Sequence, residues 1–561
     1  MELQNFYKNF DEKFDERESM LTELKNSKTY TNFNWVSDMF EKLYINQDKD
    51  IIIYYNMDND TEKRVKYKEF YINYNKLINF LRKNRMKKGS IIYVMTPAII
   101  EQWYIIMASL KAGFTLIPLA PNLTEYELKY RFSNVEPDAV IADENNMKKI
   151  INSLSNNPLK IAINSFKDCV DFDEIYKENS NAEPEKLNIN DIFIKYFTSG
   201  TTGMPKTVNH SSVLYPLGQL SNVMLTGIRN NYIHNNLSSP GWAKFAWSSF
   251  FAPLSVGATV LTVDYSGKLN TKRYLEILEK YNVNSFCAPP TAWRQFLSLN
   301  LDGIKLNSLK ETVSAGEPLN AEIINKWKNK FGTTIRDYYG QTESTGIIGN
   351  MPGSKVIPGS MGKISPLYNI VLLDDEMNEI NKSYEPGLIA VKNYENNYGL
   401  FLSYSDKEKN KSVFINNYYL TGDKAFKDDN NHFFFVSRSD DVIKYSDYRI
   451  GPFEVESAII TSECVLESAV IGSPDRLKYQ KVKAFIVLKP EFNKNEETAK
   501  LIFNSVKKLL PPYKLPEIIE FTNELPKTIS GKIRRNELRG IERDRKENNA
   551  EGEYEYFMKK Y

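Results

Sequence analysis

The sequence contains few of the side chains that hold structural metals or build disulfide frameworks. Its 561 residues include 3 cysteines and 3 histidines. The cysteines are far apart and lack C-x-x-C spacing, which excludes a disulfide scaffold and a cysteine zinc site within this chain. The histidines are equally scattered, so we do not expect a histidine metal cluster. These residues are Cys169, Cys287, Cys464, His210, His234 and His432.

An excess of charge of one sign is also absent. Lysine and arginine number 73 and aspartate and glutamate 71, which leaves a net charge of +2. A near-neutral chain has no overall field for holding a polyanion, and this disfavours nucleic-acid binding.

Signals for a membrane or an export pathway are weak. The uncharged stretch 245–263 contains Pro253 and Gly257, so we predict a buried helix followed by a buried strand there and no transmembrane segment. The first 20 residues are acidic and lack an apolar core, unlike a signal or transit peptide. We therefore expect a cytoplasmic protein.

Helical and strand patterns alternate over about the first 190 residues. Residues 67–83 predict an amphipathic helix, and residues 91–95 and 139–142 predict short buried strands. This alternation favours an α/β fold with parallel sheets. The apolar face of the helix consists of Phe70, Tyr74, Leu77 and Leu81.

The rest of the chain predicts a different organisation. Residues 355–436 are richer in strands and turns, and a smaller α+β unit begins near residue 441. The charged residues from about Glu542 onward predict a frayed tail. Within the small unit we predict helices at 452–461 and 499–510 and strands at 469–472 and 483–488.

A loop rich in glycine, serine and threonine follows residue 196. Such a loop lets the backbone approach an anion and donate hydrogen bonds to it, and Lys206 adds a positive charge for a polyphosphate. Pro205 precedes this lysine where a Walker A loop requires glycine. The predicted phosphate-binding residues are Thr198, Ser199, Gly200, Thr201, Thr202, Gly203 and Lys206.

This loop resembles the signature of the adenylate-forming (AMP-binding) superfamily, which includes acyl-CoA synthetases, adenylation domains of peptide synthetases and firefly-type luciferases. Further signatures follow in the family order over nearly the whole chain. The resemblance implies a large N-terminal body, residues 1–439, with parallel α/β subdomains and a β-rich subdomain. It also implies a hinge at Asp440 and a small mobile α+β domain, residues 441–561.

The resemblance implies an ATP site. Gly316, Glu317 and Pro318 match the adenine-contacting turn, and Asp423 matches the residue that binds the ribose hydroxyls. In the string 337–343 the family uses the threonine for the α-phosphate and the glutamate for Mg²⁺, because attack of a carboxylate on a phosphate brings two anions together. The remaining matched residues are Asp337, Tyr338, Tyr339, Gly340, Gln341, Thr342, Glu343, Arg438 and Arg449.

The family's reaction has two halves, adenylation of an acid and transfer of the acyl group to CoA. Lys532 matches the lysine that neutralises charge in the first half. Rotation about the hinge then exposes a CoA channel. The channel residues are Ser446, Asp447 and Tyr448.

Three departures from the family pattern concern the small domain or its boundary. Relatives usually carry glycine where this chain has Asp447, and we expect a carboxylate there to obstruct or repel the approaching thiol and phosphopantetheine. Ser437 also replaces a usual glycine, and the residues 478–481 replace a common Arg-Gly-Glu stretch.

The strings 238–249 and 337–340 most resemble medium-chain acyl-CoA synthetases. Acetate-specific relatives place tryptophan where this chain has Gly340, so we predict room for a longer acyl tail, with Trp242 lining the same pocket. The predicted activity is ligation of a medium-chain or aromatic acid to CoA, with ATP, Mg²⁺ and CoA as cofactor and substrates.

Two alternatives remain open at this stage. The acceptor of the acyl group could be a carrier-protein thiol or an amine. The chain could also be a non-catalytic nucleotide-binding member of the family, although Lys532 has no purpose in binding alone. A homo-oligomer is possible.

Overall fold

A computed structural model describes residues 3–27, 29–198, 205–395, 397–445, 448–475, 478–528 and 532–558. The chain forms two compact units. The first comprises Met1–Ile357, Met361–Ile370 and Lys392–Tyr419. The second comprises Pro358–Ser360, Val371–Val391 and Leu420–Tyr561. The division at residue 440 stays a prediction.

The larger sheet of the first unit has a parallel centre. Among the residues that the structure describes, nine strands form it, and the six central strands are parallel. The central strands are buried and rich in β-branched and aromatic residues, as expected for a sheet covered on both faces. In spatial order the strands are Lys363–Ile364, Gly346–Gly349, Ile335–Gly340, Glu311–Ala315, Ser285–Ala288, Ile233–Asn236, Thr259–Asp264, Asp50–Asn56 and Thr61–Lys66.

The second sheet of this unit is built in the same way. Eight strands form it within the described part of the chain, again with six parallel strands and an antiparallel edge. The predicted strands at 91–95 and 139–142 are confirmed, the second one residue longer. In spatial order the strands are Ser403–Tyr404, Lys206–Ser211, Ile192–Thr198, Thr115–Pro118, Ile91–Met95, Ala139–Asp143, Leu159–Ile163 and Val170–Asp171.

Helices cover these sheets. The predicted helix Tyr67–Lys83 is confirmed, and the four apolar residues of its predicted face are fully buried. Against the nine-stranded sheet, Trp293 and Trp327 meet edge-to-face with ring centroids 4.7 Å apart. The other α-helices of this unit are Leu3–Glu12, Arg17–Asn26, Glu41–Tyr44, Ile100–Ala112, Glu125–Asn134, Glu144–Ile151, Leu214–Gly218, Leu220–Thr226, Thr271–Lys280, Pro290–Leu297, Ala321–Phe331 and Lys407–Val413, with 3₁₀ turns at Phe14–Glu16 and Phe172–Lys177 and a π turn at Val36–Phe40.

The uncharged stretch 245–263 folds as predicted, into buried helix and then strand. The helical part runs through Ala243–Phe245, a π turn at Ala246–Phe251 and Ala252–Leu254, and the strand is Thr259–Asp264. A search of the described residues finds no helix with the length and apolar character needed to cross a membrane.

The strand-rich region predicted from the sequence is present, and its residues are divided between the two units. Within the described residues, Tyr418–Lys427 pairs with Phe433–Arg438, and the same sheet contains Ile370–Leu373 and Gly387–Lys392. Its remaining strand, Phe414–Ile415, belongs to the first unit.

A smaller α+β part follows, with six sheet strands in the described residues. The two predicted strands lie within Val465–Asp475 and Tyr479–Leu488. The predicted helices are present as Pro452–Ile459 and Glu496–Lys507, each ending a few residues earlier than predicted. The other elements are the strands Ile443–Tyr445, Tyr448–Ile450, Ile518–Thr522 and Glu555–Phe557 and a 3₁₀ turn at Pro512–Lys514.

The prediction of a frayed tail from Glu542 onward is wrong. The helix Arg535–Glu547 passes through this position, and Glu555–Phe557 adds an edge strand to the small sheet. Glu542 is completely buried because its carboxylate accepts a hydrogen bond from Lys483, which is also fully buried. The Glu542 carboxylate therefore helps to hold this segment against the small sheet.

Candidate active site

Two predicted nucleotide-binding turns leave the same edge of the nine-stranded sheet. The parallel strands Glu311–Ala315 and Ile335–Gly340 are neighbours, with Ala315 paired to Tyr338. Their carboxyl ends lead into Gly316–Pro318 and into Gln341–Glu343. Gly316 is exposed and has a φ of +105°, a conformation that glycine adopts without strain. The carboxyl edge of a parallel sheet is the usual ligand site in such folds.

Each residue of the string Gln341–Glu343 is held by a side chain from another element. The Tyr419 hydroxyl donates to the Gln341 side-chain oxygen at 2.9 Å. His210 donates from Nε2 to the Thr342 carbonyl at 2.7 Å. The Tyr404 hydroxyl donates to Oε1 of Glu343 at 2.7 Å. The predicted phosphate- and magnesium-binding residues are thus fixed from three directions.

His210 is a neutral hydrogen-bond donor in this arrangement. Burial lowers its pKa to about 3. Because a carbonyl oxygen only accepts, the bond to Thr342 places the proton on Nε2. The ring lies against Tyr215, with centroids 4.0 Å apart. A charge-free ring can therefore hold the Thr342 backbone without attracting or repelling a phosphate.

The predicted phosphate loop joins the two strands of a hairpin. Thr198 pairs with Lys206 at the open end of Ile192–Thr198 and Lys206–Ser211. The Lys206 ammonium forms an ion pair with Asp406. This contact lowers the pKa of the Asp406 carboxyl. The predicted residues Ser199, Gly200, Thr201, Thr202 and Gly203 lie outside the described residues.

Asp337 and Tyr338 are buried, at 6% and 2% exposure. Burial raises the pKa of Asp337 well above its usual range, and its carboxyl accepts a hydrogen bond from the Leu319 backbone at 3.3 Å. The structure thus gives Asp337 a supporting role for the 316–319 turn. Asp337, Tyr338 and the half-buried Tyr339 are predicted to contact the nucleotide, and these contacts stay predictions.

The two residues predicted for the acyl pocket have different surroundings. Trp242 is half-buried and packs on the apolar cluster of the eight-stranded sheet, a cluster that includes Leu119. A Cβ added at Gly340 would overlap the Thr345 carbonyl oxygen and lie 3.0 Å from its carbon. Glycine is therefore required there by a close backbone approach, whatever the acid. A pocket shared by Trp242 and Gly340 remains a prediction.

The second unit brings together three of the predicted residues. Asp423 and Arg438 are direct partners in the antiparallel pair Tyr418–Lys427 and Phe433–Arg438. The Arg438 guanidinium lies 3.8 Å from the Asp423 carboxylate and 3.7 Å from that of Asp440. Asp423 is 7% exposed, whereas Arg438 is mostly exposed. A buried acceptor beside a solvent-facing cation suits the predicted ribose site.

Lys532 lies in the second unit and is exposed. Its carbonyl accepts a hydrogen bond from the Thr528 N–H at 2.7 Å. Tyr448 stacks on Tyr513 at 4.3 Å between ring centroids. The predicted channel residues Ser446 and Asp447 and the side chain of Arg449 lie outside the described residues.

Comparison with known proteins identifies the family. The model of the AMP-binding enzyme family matches residues 41–404, and that of the AMP-binding enzyme C-terminal domain matches residues 454–532. The chain belongs to the AMP-binding enzyme family.

Relatives of this AMP-binding enzyme carry ligase names. A 4-hydroxybutyrate–CoA ligase of Metallosphaera sedula is 50% identical over 93% of both chains. A mitochondrial acyl-coenzyme A synthetase, ACSM3, of Rattus norvegicus is 39% identical over 81% of this chain and 80% of its own. The predicted class of activity, AMP-forming ligation of an acid to CoA, is confirmed at this level, with ATP and CoA as substrates.

Solved structures confirm the fold class. An anthranilate CoA ligase in complex with anthranoyl-AMP has a TM-score of 0.83 and 28% identity, covering 91% of this chain and 98% of its own. A benzoate CoA ligase from Burkholderia xenovorans has a TM-score of 0.80 and 26% identity, covering 90% of this chain and 100% of its own. The AMP-binding enzyme has the predicted large α/β body and small C-terminal domain.

Glu343 suits a magnesium ion that arrives with ATP. Mg²⁺ is commonly held by one or two carboxylates together with substrate phosphates and water. The half-buried carboxylate of Glu343, oriented by Tyr404, supplies such an oxygen ligand. The described residues also contain one group of three glutamates close enough to hold a metal, Glu520, Glu542 and Glu555. The Lys483 ammonium already contacts all three of them.

Sequence reasoning missed the residues that orient Thr342, Glu343 and Lys206. It assigns His210 no role beyond the excluded metal cluster, and Tyr404 and Asp406 belong to no recognised motif. Their partners lie 132, 61 and 200 positions away in the sequence. An antiparallel pairing of Ser403–Tyr404 with Lys206–Ser211 would have indicated the Asp406 contact.

Proposed function

We propose that this enzyme makes CoA thioesters of carboxylic acids larger than acetate through an acyl-adenylate. The observation that carries the proposal is the fixed string Gln341–Glu343 at the carboxyl edge of the sheet, bound by Tyr419, His210 and Tyr404. An oriented carboxylate, a threonine hydroxyl on an anchored backbone and a phosphate-loop lysine together suit attack on the α-phosphate of ATP.

In the first half-reaction an oxygen of the acid's carboxylate attacks the α-phosphorus and pyrophosphate leaves. Thr342 donates to the α-phosphate, and Lys206 attracts the phosphates as a positive charge. Glu343 would hold Mg²⁺, which would offset the negative charge of the triphosphate. By the family resemblance, Lys532 would supply a further positive charge to the carboxylate and α-phosphate.

In the second half-reaction the CoA sulfur attacks the acyl carbon, AMP leaves, and the thiol proton is released. Residues 446–448 border the route of the pantetheine, and Asp440 is the hinge. This assignment of the second half rests on the family resemblance.

The names of relatives support an acid larger than acetate. They include 4-hydroxybutyrate, a four-carbon hydroxy acid, and the aromatic acids anthranilate and benzoate. The identity of 50% with the first of these favours a four-carbon hydroxy acid, and the acyl-coenzyme A synthetases at 39% favour a medium-chain acid. Both classes exceed acetate in size.

A panel of acids tests the proposal. AMP formation is measured with acetate, butyrate, 4-hydroxybutyrate, octanoate and benzoate, each with and without CoA. We expect the highest kcat/KM with an acid of four or more carbons and rapid AMP release only with CoA. Acetate as the best substrate would contradict the size assignment. Normal pyrophosphate exchange without CoA-dependent AMP release would indicate a different acceptor.

Lys532→Ala separates catalysis from nucleotide binding. We expect a loss of about 10²- to 10³-fold in acid-dependent pyrophosphate exchange, as for removal of one charge-stabilising donor, with unchanged ATP affinity. Lys527→Ala is the control, since Lys527 pairs with Ile533, the neighbour of Lys532, but its ammonium contacts Glu467. Equal effects of both variants would contradict the role of Lys532.

A further inference from the structure

One short segment of the first unit contacts both predicted phosphate-handling side chains. At its start the Phe401 N–H donates to the Glu343 carbonyl at 2.8 Å. The Tyr404 hydroxyl donates to the Glu343 carboxylate at 2.7 Å. At its end Asp406 forms the ion pair with Lys206. The six residues 401–406 thus contact both Glu343, the proposed magnesium ligand, and Lys206, the lysine of the phosphate loop.

The backbone of the segment is itself fixed. Tyr404 pairs with Val208 in the antiparallel edge of the eight-stranded sheet. The Ser405 N–H donates to the Thr207 carbonyl at 3.0 Å. A side chain that extends from a paired strand loses little further freedom when it binds a partner. The fixed backbone of the segment therefore restrains the positions of Tyr404 and Asp406, which contact Glu343 and Lys206.

Asp406 divides its two carboxylate oxygens between two tasks. Oδ1 accepts from the backbone N–H groups of Glu408, at 2.9 Å, and Lys409, at 3.1 Å, and so caps the helix Lys407–Val413. Oδ2 contacts the Lys206 ammonium. The cap holds the carboxylate in one orientation, and the second oxygen then aims the lysine. An ammonium has three donors, so Lys206 can keep this contact and still donate to phosphate oxygens.

We propose that Tyr404 and Asp406 are positioning residues that hold Glu343 and Lys206 in place for adenylation. This inference rests on the proposed function, in which those two side chains handle the phosphates of ATP. Neither positioning residue touches substrate. Asp406 even places a negative charge near the phosphates, and repulsion from it would oppose ATP binding. Asp406 offsets this repulsion by orienting the Lys206 ammonium.

Asp406→Asn tests the first contact, because asparagine keeps the helix cap but lacks the charge. We expect kcat for pyrophosphate exchange to fall about tenfold, since a lysine side chain regains its rotamer freedom. KM for ATP should not rise, since a nearby negative charge is gone. In a Lys206→Met background the same substitution should have almost no effect on kcat, as a double-mutant cycle requires.

Tyr404→Phe tests the contact between Tyr404 and the Glu343 carboxylate, and the measurement is the affinity for ATP. We expect the calorimetric affinity for ATP with Mg²⁺ to fall about tenfold, the effect of one hydrogen bond to a charged group. Affinity for ATP in EDTA should be unchanged, because Glu343 then has no cation to hold. Equal losses in both conditions would mean that Tyr404 acts through the fold, and would overturn its assignment.

For Asp406, an unchanged kcat, or an equal loss in the Lys206→Met background, would overturn the assignment. Failure of the proposed function has a separate signature, since the wild-type protein would then show no exchange with any acid of the panel. In that case the ion pair is still measurable. Labelling of Lys206 by acetic anhydride, read by mass spectrometry, should be several-fold faster in Asp406→Asn, and an equal rate would refute the restraint.

Discussion

Lys483→Met is expected to destabilise the six-stranded sheet of the second unit by about 3–5 kcal/mol, the usual cost of removing one partner from a buried ion pair. Lys483 is fully buried on the strand Tyr479–Leu488. Its ammonium lies 2.8 Å from Glu520, 2.5 Å from Glu542 and 2.9 Å from Glu555. Methionine fills a similar volume but leaves these carboxylates without their shared cation.

The magnitude follows from what remains around each carboxylate. Glu520 keeps a bidentate pair with Arg545 at 2.7 Å, and Glu542 keeps the Ser473 hydroxyl at 2.6 Å. Glu555 keeps mainly the Gly552 N–H at 2.9 Å, and its other carboxylate oxygen is 3.8 Å from Lys546. About one uncompensated buried charge is therefore created, and not three.

The variant should also respond to pH in the opposite sense to the wild type. In the wild type, burial alone would raise the pKa of Glu555, but the Gly552 N–H and Lys483 outweigh it and lower the pKa. The wild-type contribution is thus lost as pH falls through that lowered pKa. Without Lys483, burial dominates and the folded pKa lies above the unfolded value. The variant should then regain stability as pH falls from 8 toward 5.

Hydrogen exchange measures this effect where tryptophan fluorescence cannot, because all 6 tryptophans lie between residues 35 and 327. Amides of Ile518–Thr522 and Tyr479–Leu488 should exchange about 100- to 5,000-fold faster, at about 1.4 kcal/mol per tenfold. Lys500→Met is the control, since its pair with Glu496 is exposed and worth at most about 0.5 kcal/mol. Less than a tenfold change in Lys483→Met would refute the reasoning.

Three further perturbations test other parts of the structure. Gly340→Ala should destabilise the first unit by about 1–3 kcal/mol in urea unfolding, because its Cβ overlaps the Thr345 backbone; a normal stability with altered acid preference would instead support the acyl-pocket prediction. Tyr479 is 75% exposed with a φ of +64°. Tyr479→Asn should stabilise the small sheet by up to about 1 kcal/mol, while Tyr479→Val should not. Burial lowers the pKa of His210 and of His234 to about 3. Since the unfolded value is about 6.5, each should contribute about 2 kcal/mol of stability at pH 8 that is lost by pH 5, and His234→Gln should reduce the pH dependence of the urea midpoint; an unchanged pH dependence would count against neutral burial.

Local patterns predicted those elements whose environment is periodic. The helix Tyr67–Lys83 was found with its true ends because its buried face repeats every three to four residues. The strand Ile91–Met95 was found because it is a short apolar run between turn residues. In both segments the local pattern of apolar residues is enough to predict burial, and no distant partner has to be known.

The tail shows where such patterns fail. Residues after Glu542 are charged, and exposed charge is the ordinary expectation. The burial of the Glu542 and Glu555 side chains depends on Lys483, which is 59 positions away from Glu542. Nothing local indicates that these charges compensate one another. A charge pattern in the sequence therefore cannot reveal that buried charges are neutralised by residues far away in the chain. The structure shows these pairs directly.

The candidate site separates in the same way into groups that act and groups that orient. Thr342 and Glu343 were recognised because their chemistry must appear at fixed spacing in one string. Their orientation comes from His210 and Tyr404, which must only reach the right atom from wherever the fold places them. A neutral ring and a phenol add no charge beside the proposed phosphate site, unlike a lysine or a carboxylate in the same places. The exception is Asp406, whose negative charge is paired with the Lys206 ammonium. This is why substitutions at His210 and Tyr404 should change geometry without changing the charge of the site, whereas Asp406→Asn changes both and needs the double-mutant cycle to separate them.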